Sequence, residues 1–327
     1  MRFRIRHASQ ITTLVFLFTA VALNAQQNDV GFGTETSPRP SLNAKVLVGL
    51  PGINSGSSGD LSFNRNDLHF ITERTSVEIQ KSRILSASKG DERVELGGAA
   101  GKIARVMLPY GSGLALGAVA HKKVGLFTVE FLDASGQYHG AVFVLKTQDV
   151  ALALADLDLH SPALLAPKLN AAGACSGEGV DLDTVRVENV AVDDQSGLPA
   201  EDRVLLYEQL VTRLQSEKSV RTVFRAGDHD SAAQCAEFTV RVQPIAFDKG
   251  DQAVRASLGP LGHFVGTTKL SFHLTITALD GTSILDKDVK KSEGSDSDSL
   301  NITKLISKAI VKSLRKSTVQ LRKTQMA

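Results

Sequence analysis

Short segments in which apolar and polar residues alternate fill the chain from residue 59 to residue 145. The pattern begins with Leu61 and Phe63, is interrupted by a polar turn, and resumes with Leu68 and Phe70. Strands this short and this closely spaced are typical of antiparallel barrels and sandwiches. The pattern therefore predicts an antiparallel β-domain in the first half of the chain.

A helix is predicted to follow these strands. Within Asp149–Leu159, Val150, Leu154 and Leu157 recur at helical spacing. Residues 59–159 are therefore predicted to form one β-domain that is capped by a helix.

The second half of the chain mixes strands and helices. Helical spacing from Val204 to Leu214 is followed by several strands, of which Thr268–Leu279 alternates most regularly. Asp280-Gly281 then gives a hairpin signal, and a helix is predicted from Leu300 to about Val319. This order predicts an α+β domain over residues 184–321, with an antiparallel sheet packed by two helices.

A segment rich in proline and glycine, residues 160–183, separates the two halves and is predicted to be a linker. Residues 322–327 are predicted to form a tail. Cys175 and Cys235 are the only cysteines. In an exported protein this pair predicts one disulfide, with two free thiols as the alternative. A bridge closing a loop of this size would stabilise the fold by about 4 kcal/mol.

The N-terminal segment predicts export. Three arginines in the first six residues precede an apolar run, Ile11–Leu23, and Ala25 offers a small residue for cleavage. Residues 1–25 are therefore predicted to be a signal peptide, and a retained membrane anchor is the alternative. The mature protein is expected to be soluble in the periplasm or outside the cell. Residues 26–58 are predicted to form a flexible lead-in.

The charge balance argues against one class of partner. The chain has 37 basic and 35 acidic residues, and three of the arginines belong to the predicted signal peptide. A mature chain with 34 basic and 35 acidic residues lacks the excess of positive charge that a general nucleic-acid binder needs.

The β-domain resembles the bacterial pleckstrin-homology-like (PH-like, GRAM-like) domains. The resemblance rests on a Gly-x-Leu-x-Phe opening that begins at Gly59, a late turn at Asp133–Gly136, and a last strand with Val142 and Leu145 that runs into one helix. It implies a partly open barrel capped by a helix, which binds lipid headgroups or protein segments. The basic early loop of the family is represented here only by Lys81 and Arg83.

The second domain resembles a family of bacterial envelope proteins and lipoproteins of unknown function. The matching features are a strand at Phe238–Phe247, then Gly250 and Arg255, a glycine-rich crossing at 259–266, and a strand that ends in Asp280-Gly281. That family is similar to the superfamily that includes curli-secretion channel subunits and activators of penicillin-binding proteins. The resemblance implies a place in the cell envelope.

No motif predicts a cofactor or a catalytic residue. The run Gly111-x-Gly113-x-x-x-Gly117 has the wrong spacing for a dinucleotide site and lacks the Gly-Lys-Ser/Thr of a P-loop. Apolar residues in the same segment form a candidate docking rim, which consists of Leu114, Leu116 and Val119. Adjacent acidic and histidine residues, Asp228-His229-Asp230, are expected to form a solvated turn rather than a metal site. A hydrolytic triad assembled in space remains an alternative.

The C-terminal helix carries the strongest candidate for binding. Lysines at i, i+4 spacing and one arginine form a basic stripe opposite an apolar face, and residues 301–327 contain no acid. The candidate anionic-surface residues are Lys304, Lys308, Lys312, Arg315 and Lys316.

These features predict a non-catalytic binding or scaffolding protein of the bacterial envelope. Its expected partners are envelope proteins, which the sequence does not identify individually. A peripheral binder of anionic lipid or acidic wall polymer is the second hypothesis. A hydrolase is the third.

Overall fold

The computed structural model describes residues 41–95, 121–158, 175, 181–191, 195–251, 266–293 and 300–326. Within them the chain has an α+β fold with two sheets, as the sequence predicts at this coarse level. The predicted signal peptide and the docking rim of Leu114, Leu116 and Val119 lie outside the described residues.

Seven antiparallel strands form the first sheet, in the order β4-β3-β2-β1-β7-β6-β5. The strands are β1 (Leu42–Val48), β2 (Ser58–Phe63), β3 (Asp67–Ile71), β4 (Ser76–Gln80), β5 (Ile84–Glu95), β6 (His121–Leu132) and β7 (Tyr138–Leu145). In the described part of the chain the edge strands β4 and β5 do not pair with each other, so the sheet is not a closed barrel.

Apolar alternation places one face of this sheet in a core. Leu61 and Phe63 on β2 pair with Phe70 and Leu68 on β3, and all four side chains are buried. The predicted turn between β6 and β7 is confirmed. It is closed by the Asp133 carboxylate, which accepts hydrogen bonds from the backbone N–H groups of Ser135 and Gln137 at 2.9 Å each.

The lead-in prediction is wrong for residues 42–48, which form β1. This strand lies at the centre of the sheet and pairs with both β2 and β7. Leu42, Ala44 and Val46 are buried, whereas Asn43 and Lys45 are exposed. The alternation is present in the sequence, but it is short and follows a polar, proline-containing stretch, so the local pattern alone does not distinguish it from the lead-in.

The predicted closing helix is confirmed as α1 (Thr147–Leu157), which follows β7. Val150, Ala153 and Leu157 lie on its buried face and join the core of the first sheet.

The second sheet has five strands in the order β12-β11-β10-β8-β9. These are β8 (Asp181–Val187), β9 (Thr222–Phe224), β10 (Ala236–Asp248), β11 (Thr268–Ala278) and β12 (Ser283–Glu293). The helices of this half are α2 (Ala200–Gln215), the short α3 (Ser231–Gln234) and α4 (Asn301–Met326). Packing of the two longer helices against the sheet is confirmed, since their apolar residues share one core cluster with the strands.

The prediction that this sheet is antiparallel is wrong for β8, which runs parallel to both β9 and β10. The reason is α2, which lies between β8 and β9 in the chain. A strand–helix–strand crossover returns the chain to its starting end, and the second strand then runs parallel to the first. The predicted hairpin between β11 and β12 is antiparallel, and Gly281 adopts a positive φ of 83° in its turn.

Helix α2 also packs against the first sheet. A Cβ atom added at Gly140 on β7 would lie 2.5 Å from Cγ1 of Val204 on α2, so only glycine fits between the strand and the helix. Residues Arg39–Ala327 form one compact unit. Most of the predicted linker, 160–183, lies outside the described residues and stays a prediction, but its last three residues belong to β8. The predicted tail is wrong for residues 322–326, because α4 continues to Met326.

The predicted disulfide is present between Cys175 and Cys235, which are 60 residues apart. Cys235 ends α3 immediately before β10, and it is buried. The bridge therefore ties the chain ahead of β8 to the start of the central strand β10.

No helix in the described part of the chain has the length and apolarity needed to cross a bilayer.

Candidate functional site

The predicted basic stripe lies on the solvent side of α4. Its members are exposed and are called the basic face from here on: Lys304, Lys308, Lys312, Arg315 and Lys316. The opposite side of the helix carries Ile302, Ile306, Ile310 and Leu314, each at most 2% exposed. The structure therefore brings all five predicted residues together on one surface and uses the apolar face to hold the helix against the sheet.

The basic face has no acidic partner among the described residues. Within residues 300–326 there is no carboxylate side chain. No acidic group of the described residues forms an ion pair with any of the five cations, and Lys304 donates only to the neutral Oδ1 of Asn301, at 3.0 Å. Like charges at i, i+4 destabilise a helix by roughly 0.2–0.5 kcal/mol per pair. The burial of the apolar side must therefore offset this repulsion.

Two apolar side chains interrupt the basic face. Leu305 is 39% exposed and Val319 is 51% exposed. At a rise of about 1.5 Å per residue they lie roughly 21 Å apart along α4. They are too few and too far apart to form an apolar stripe that would insert into a bilayer.

The edge strand β12 extends the positive surface, which sequence reasoning missed. Leu285 and Val289 pair with buried residues of β11 and therefore lie on the helix-facing side of β12. Side chains two residues apart on a strand share a face, so Lys287 and Lys291 lie on the same side. The Lys287 Nζ atom lies 3.5 Å from Ser313 Oγ on α4. The period-two pattern of β12 indicates that Lys287 and Lys291 lie on one face of the strand. Only the packing of α4 beside this strand places that face next to the basic face.

A small cleft of about 70 Å³ lies beside the basic face, between α4 and β8. Its floor is apolar and includes Val185 and Phe238. At its rim the Nη2 atom of Arg322 lies 2.6 Å from Asp183 Oδ1 and 3.5 Å from Glu237 Oε2. The positive charge of this arginine is therefore balanced by two carboxylates, and it does not join the basic face. Small-molecule sites typically measure about 300–1,000 Å³. The cleft is therefore too small to be such a site.

Buried ionic groups connect α2 to the first sheet. Glu130 on β6 forms an ion pair with Arg203 on α2 and accepts hydrogen bonds from Tyr138 Oη at 2.7 Å and from Ser86 Oγ at 2.8 Å. Burial, together with the negative charge of Glu130, raises the pKa of Tyr138 well above its ordinary value. The tyrosine therefore acts as a fixed hydrogen-bond donor.

A second buried pair, Glu208 on α2 and Arg225, lies beside the first. Glu208 Oε1 also accepts from the N–H of Gly140 at 3.0 Å, and Arg225 Nε donates to the carbonyl oxygen of Tyr138 at 2.9 Å. Burial raises the pKa of Glu208 although Arg225 opposes the shift. Both pairs are at least nine-tenths buried, so they join the two sheets rather than meet a substrate.

One group of a serine, an aspartate and a histidine in the described part of the chain has its members in the wrong order for a hydrolytic triad. Ser135 Oγ donates to Asp133 Oδ1 at 2.7 Å, and His139 Nε2 lies 3.3 Å from Asp133 Oδ2. A catalytic triad needs the histidine next to the hydroxyl, so that it can accept the hydroxyl proton. Here the carboxylate separates the two, and these residues do not activate a nucleophile.

Both carboxylates of the Asp228-His229-Asp230 turn accept hydrogen bonds from other residues of the protein. Asp228 is buried rather than solvated, and its Oδ2 accepts from Gln137 Nε2 at 2.9 Å. Asp230 caps α3 by accepting from the N–H of Ala232 at 3.0 Å. The three side chains do not gather into a metal-binding group among the described residues.

Comparison with known proteins adds no assignment. No family model matches the chain, and neither a curated protein nor a solved structure matches it.

Proposed function

We propose that this protein is a non-catalytic binding protein of the bacterial envelope, and that its basic face holds it on an anionic lipid surface. One observation carries the proposal: the apolar side of α4 is buried in the core, while its five cations remain exposed and form no ion pair with an acidic group of the described residues. A helix that served only to close the core would gain stability from acidic residues at these positions.

The physical basis of the binding is electrostatic. A cation near an anionic membrane surface contributes about 1 kcal/mol, so five cations supply about 5 kcal/mol. Leu305 and Val319 add shallow contacts only. Because exposed charges are screened within about 10 Å at 0.1 M ionic strength, the binding is expected to weaken sharply with salt.

Two further features support the proposal: the first concerns the envelope setting, and the second concerns lipid binding. A disulfide persists in oxidising compartments such as the periplasm, and Cys175 and Cys235 form one here. Seven antiparallel strands followed by α1 agree with a PH-like first domain, whose relatives bind lipid headgroups or protein segments.

The test is co-sedimentation of the mature chain with vesicles that contain phosphatidylglycerol, and with neutral phosphatidylcholine vesicles. The test variant replaces three lysines of the basic face by the neutral helix former glutamine: Lys308→Gln, Lys312→Gln and Lys316→Gln. The matched control makes the same change at exposed lysines outside α4: Lys89→Gln, Lys146→Gln and Lys218→Gln.

The proposal expects the wild-type chain to bind anionic vesicles only. The test variant is expected to lose most of this binding, and the control variant is expected to keep it. Equal losses in both variants would show a general charge effect and refute the role of the basic face. Binding to isolated acidic wall polymer without binding to vesicles would assign the surface to wall polymer instead.

A further inference from the structure

Three side chains that can ligate a metal lie on one face of the β3–β4 hairpin. Asp67 and His69 are two residues apart on β3, so they point to the same side. Glu78 on β4 is the direct cross-strand partner of His69. One ligand atom from each of the three lies within 4.8 Å of the other two. The hairpin is at the edge of the first sheet, whereas the basic face lies on α4, which packs on the second sheet.

A neighbouring asparagine fixes the orientation of the imidazole ring. Asn64 Oδ1 accepts from the backbone N–H groups of Asn66 at 2.8 Å and of Asp67 at 2.7 Å. Its amide nitrogen is therefore the atom that faces His69 Nε2, at 2.8 Å. The other ring nitrogen, Nδ1, faces Glu78 and lies 4.0 Å from Oε2. The ring is held so that Nδ1 faces the Glu78 carboxylate, and the Asp67 carboxylate lies in the same group of ligand atoms.

We propose that Asp67, His69 Nδ1 and Glu78 bind a zinc ion. One imidazole nitrogen and two carboxylate oxygens suit this borderline metal, with water as the fourth tetrahedral ligand. Bonds of about 2.0–2.1 Å place tetrahedral ligand atoms roughly 3.3 Å apart. The observed separations, up to 4.8 Å, therefore close by small side-chain rotations. Glu78 is exposed and the other two are half-buried, so these rotations need no change in the backbone.

Geometry, rather than composition, distinguishes this group from a second histidine with two acids. His273 on β11 has Asp288 Oδ1 2.7 Å from its Nδ1 and Asp286 Oδ1 3.0 Å from its Nε2. The two carboxylates occupy opposite nitrogens of the ring, so one ion cannot contact both of them and the imidazole. His273 therefore serves as a matched control for His69.

Asn64 is predicted to lower the affinity of this site for zinc. Asn64 donates to Nε2, so the single proton of the neutral ring lies on Nδ1. When zinc binds Nδ1, the ring must take up the other tautomer, in which that proton is on Nε2. There it faces the N–H group of Asn64, which has no lone pair to accept it. An aspartate at this position would keep the two backbone hydrogen bonds with one oxygen and accept from Nε2–H with the other. Carboxylate–histidine–metal arrangements of this kind change metal affinity about 10–100-fold.

The test is isothermal titration of the tag-free mature protein with zinc chloride at pH 7.5. The proposal expects saturable binding of one ion per chain, loss of that binding in His69→Ala, and unchanged binding in His273→Ala. Asn64→Asp is expected to bind zinc roughly 10-fold more tightly or better. Glu78→Gln is expected to weaken it while circular dichroism stays unchanged.

Three results would overturn the zinc site: no saturable binding by the wild-type chain, equal binding by His69→Ala, or no gain of affinity in Asn64→Asp. The glutamine variant of the basic face is expected to bind zinc normally. The zinc site and the proposed membrane surface therefore succeed or fail independently.

Discussion

Replacing Glu208 by glutamine tests whether buried charge joins the two sheets. Glutamine has the same shape and can still accept from the N–H of Gly140, which lies 3.0 Å from the carboxylate. It removes the negative charge that neutralises Arg225. The guanidinium then stays buried, since it is 9% exposed and donates to the Tyr138 carbonyl oxygen at 2.9 Å.

The expected cost is large. Removing one partner of a buried ion pair destabilises a protein by about 3–5 kcal/mol, because the other charge is left uncompensated. A comparable surface pair contributes about 0–1 kcal/mol. Glu188→Gln provides a contrast with this limit: Glu188 is itself buried, but its partner Arg241 is 60% exposed and can be solvated when the carboxylate is lost.

The assay is urea unfolding of the oxidised mature chain, followed by far-ultraviolet circular dichroism and analysed by linear extrapolation. Glu208→Gln should lower the free energy of unfolding by about 3–5 kcal/mol, and Glu188→Gln by at most about 1 kcal/mol. Arg225→Met combined with Glu208→Gln should cost less than the two single changes added together, with a coupling energy of about 1–3 kcal/mol.

Two outcomes would refute this reasoning. Equal losses for Glu208→Gln and Glu188→Gln would show that burial of Arg225 carries no special cost. Additive losses in the double variant would show that Glu208 and Arg225 do not act as a pair. If Glu208→Gln does not fold, the double variant still tests the pairing, because it is then expected to recover a folded state.

Three further predictions concern stability. Replacing Cys175 and Cys235 by serine should lower the free energy of unfolding by about 4 kcal/mol, because the bridge constrains a 60-residue separation in the unfolded chain. Gly140→Ala should cost about 1–3 kcal/mol, because the new Cβ would lie 2.5 Å from Cγ1 of Val204; Val204→Ala should relieve part of that cost. Burial and the nearby Arg225 lower the pKa of His139 to about 4, below its ordinary 6.5. In the unfolded chain His139 therefore takes up its proton at a higher pH than in the folded chain. The free energy of unfolding should fall by about 3 kcal/mol as the pH drops from 6.5 to 4.

Each of these predictions has its own control. Reducing agent should destabilise the wild-type chain and leave the double serine variant unchanged. Val204→Ala with Gly140→Ala should not be worse than the two costs added. His139→Phe keeps a ring that can stack on Phe131 but does not titrate. Its loss of stability between pH 6.5 and 4 should therefore be smaller than that of the wild-type chain, and an equal loss would contradict the assignment to His139.

Local patterns predicted the elements whose signals are local. The hairpin at Asp280-Gly281, the turn closed by Asp133 and the helix α4 depend on turn chemistry and periodicity, which a single sequence displays. The basic face follows directly from that helix. Whether its lysines would find acidic partners depended on the tertiary fold.

Features that depend on distant parts of the chain were missed. Strand β1 is a short alternation whose place at the centre of a sheet is decided by its partners β2 and β7. The parallel course of β8 follows from the path of α2, and the zinc ligands meet only through the register of His69 with Glu78. Sequence periodicity records which face a residue occupies, but not which residue lies opposite it.

The most direct measurement of the central claim is the partition of the mature protein onto phosphatidylglycerol vesicles as the salt concentration is raised. Purely electrostatic binding by the basic face predicts strong partition at low salt and near-complete release at several times physiological ionic strength. Partition that does not change with salt, or no partition at low salt, would contradict the account.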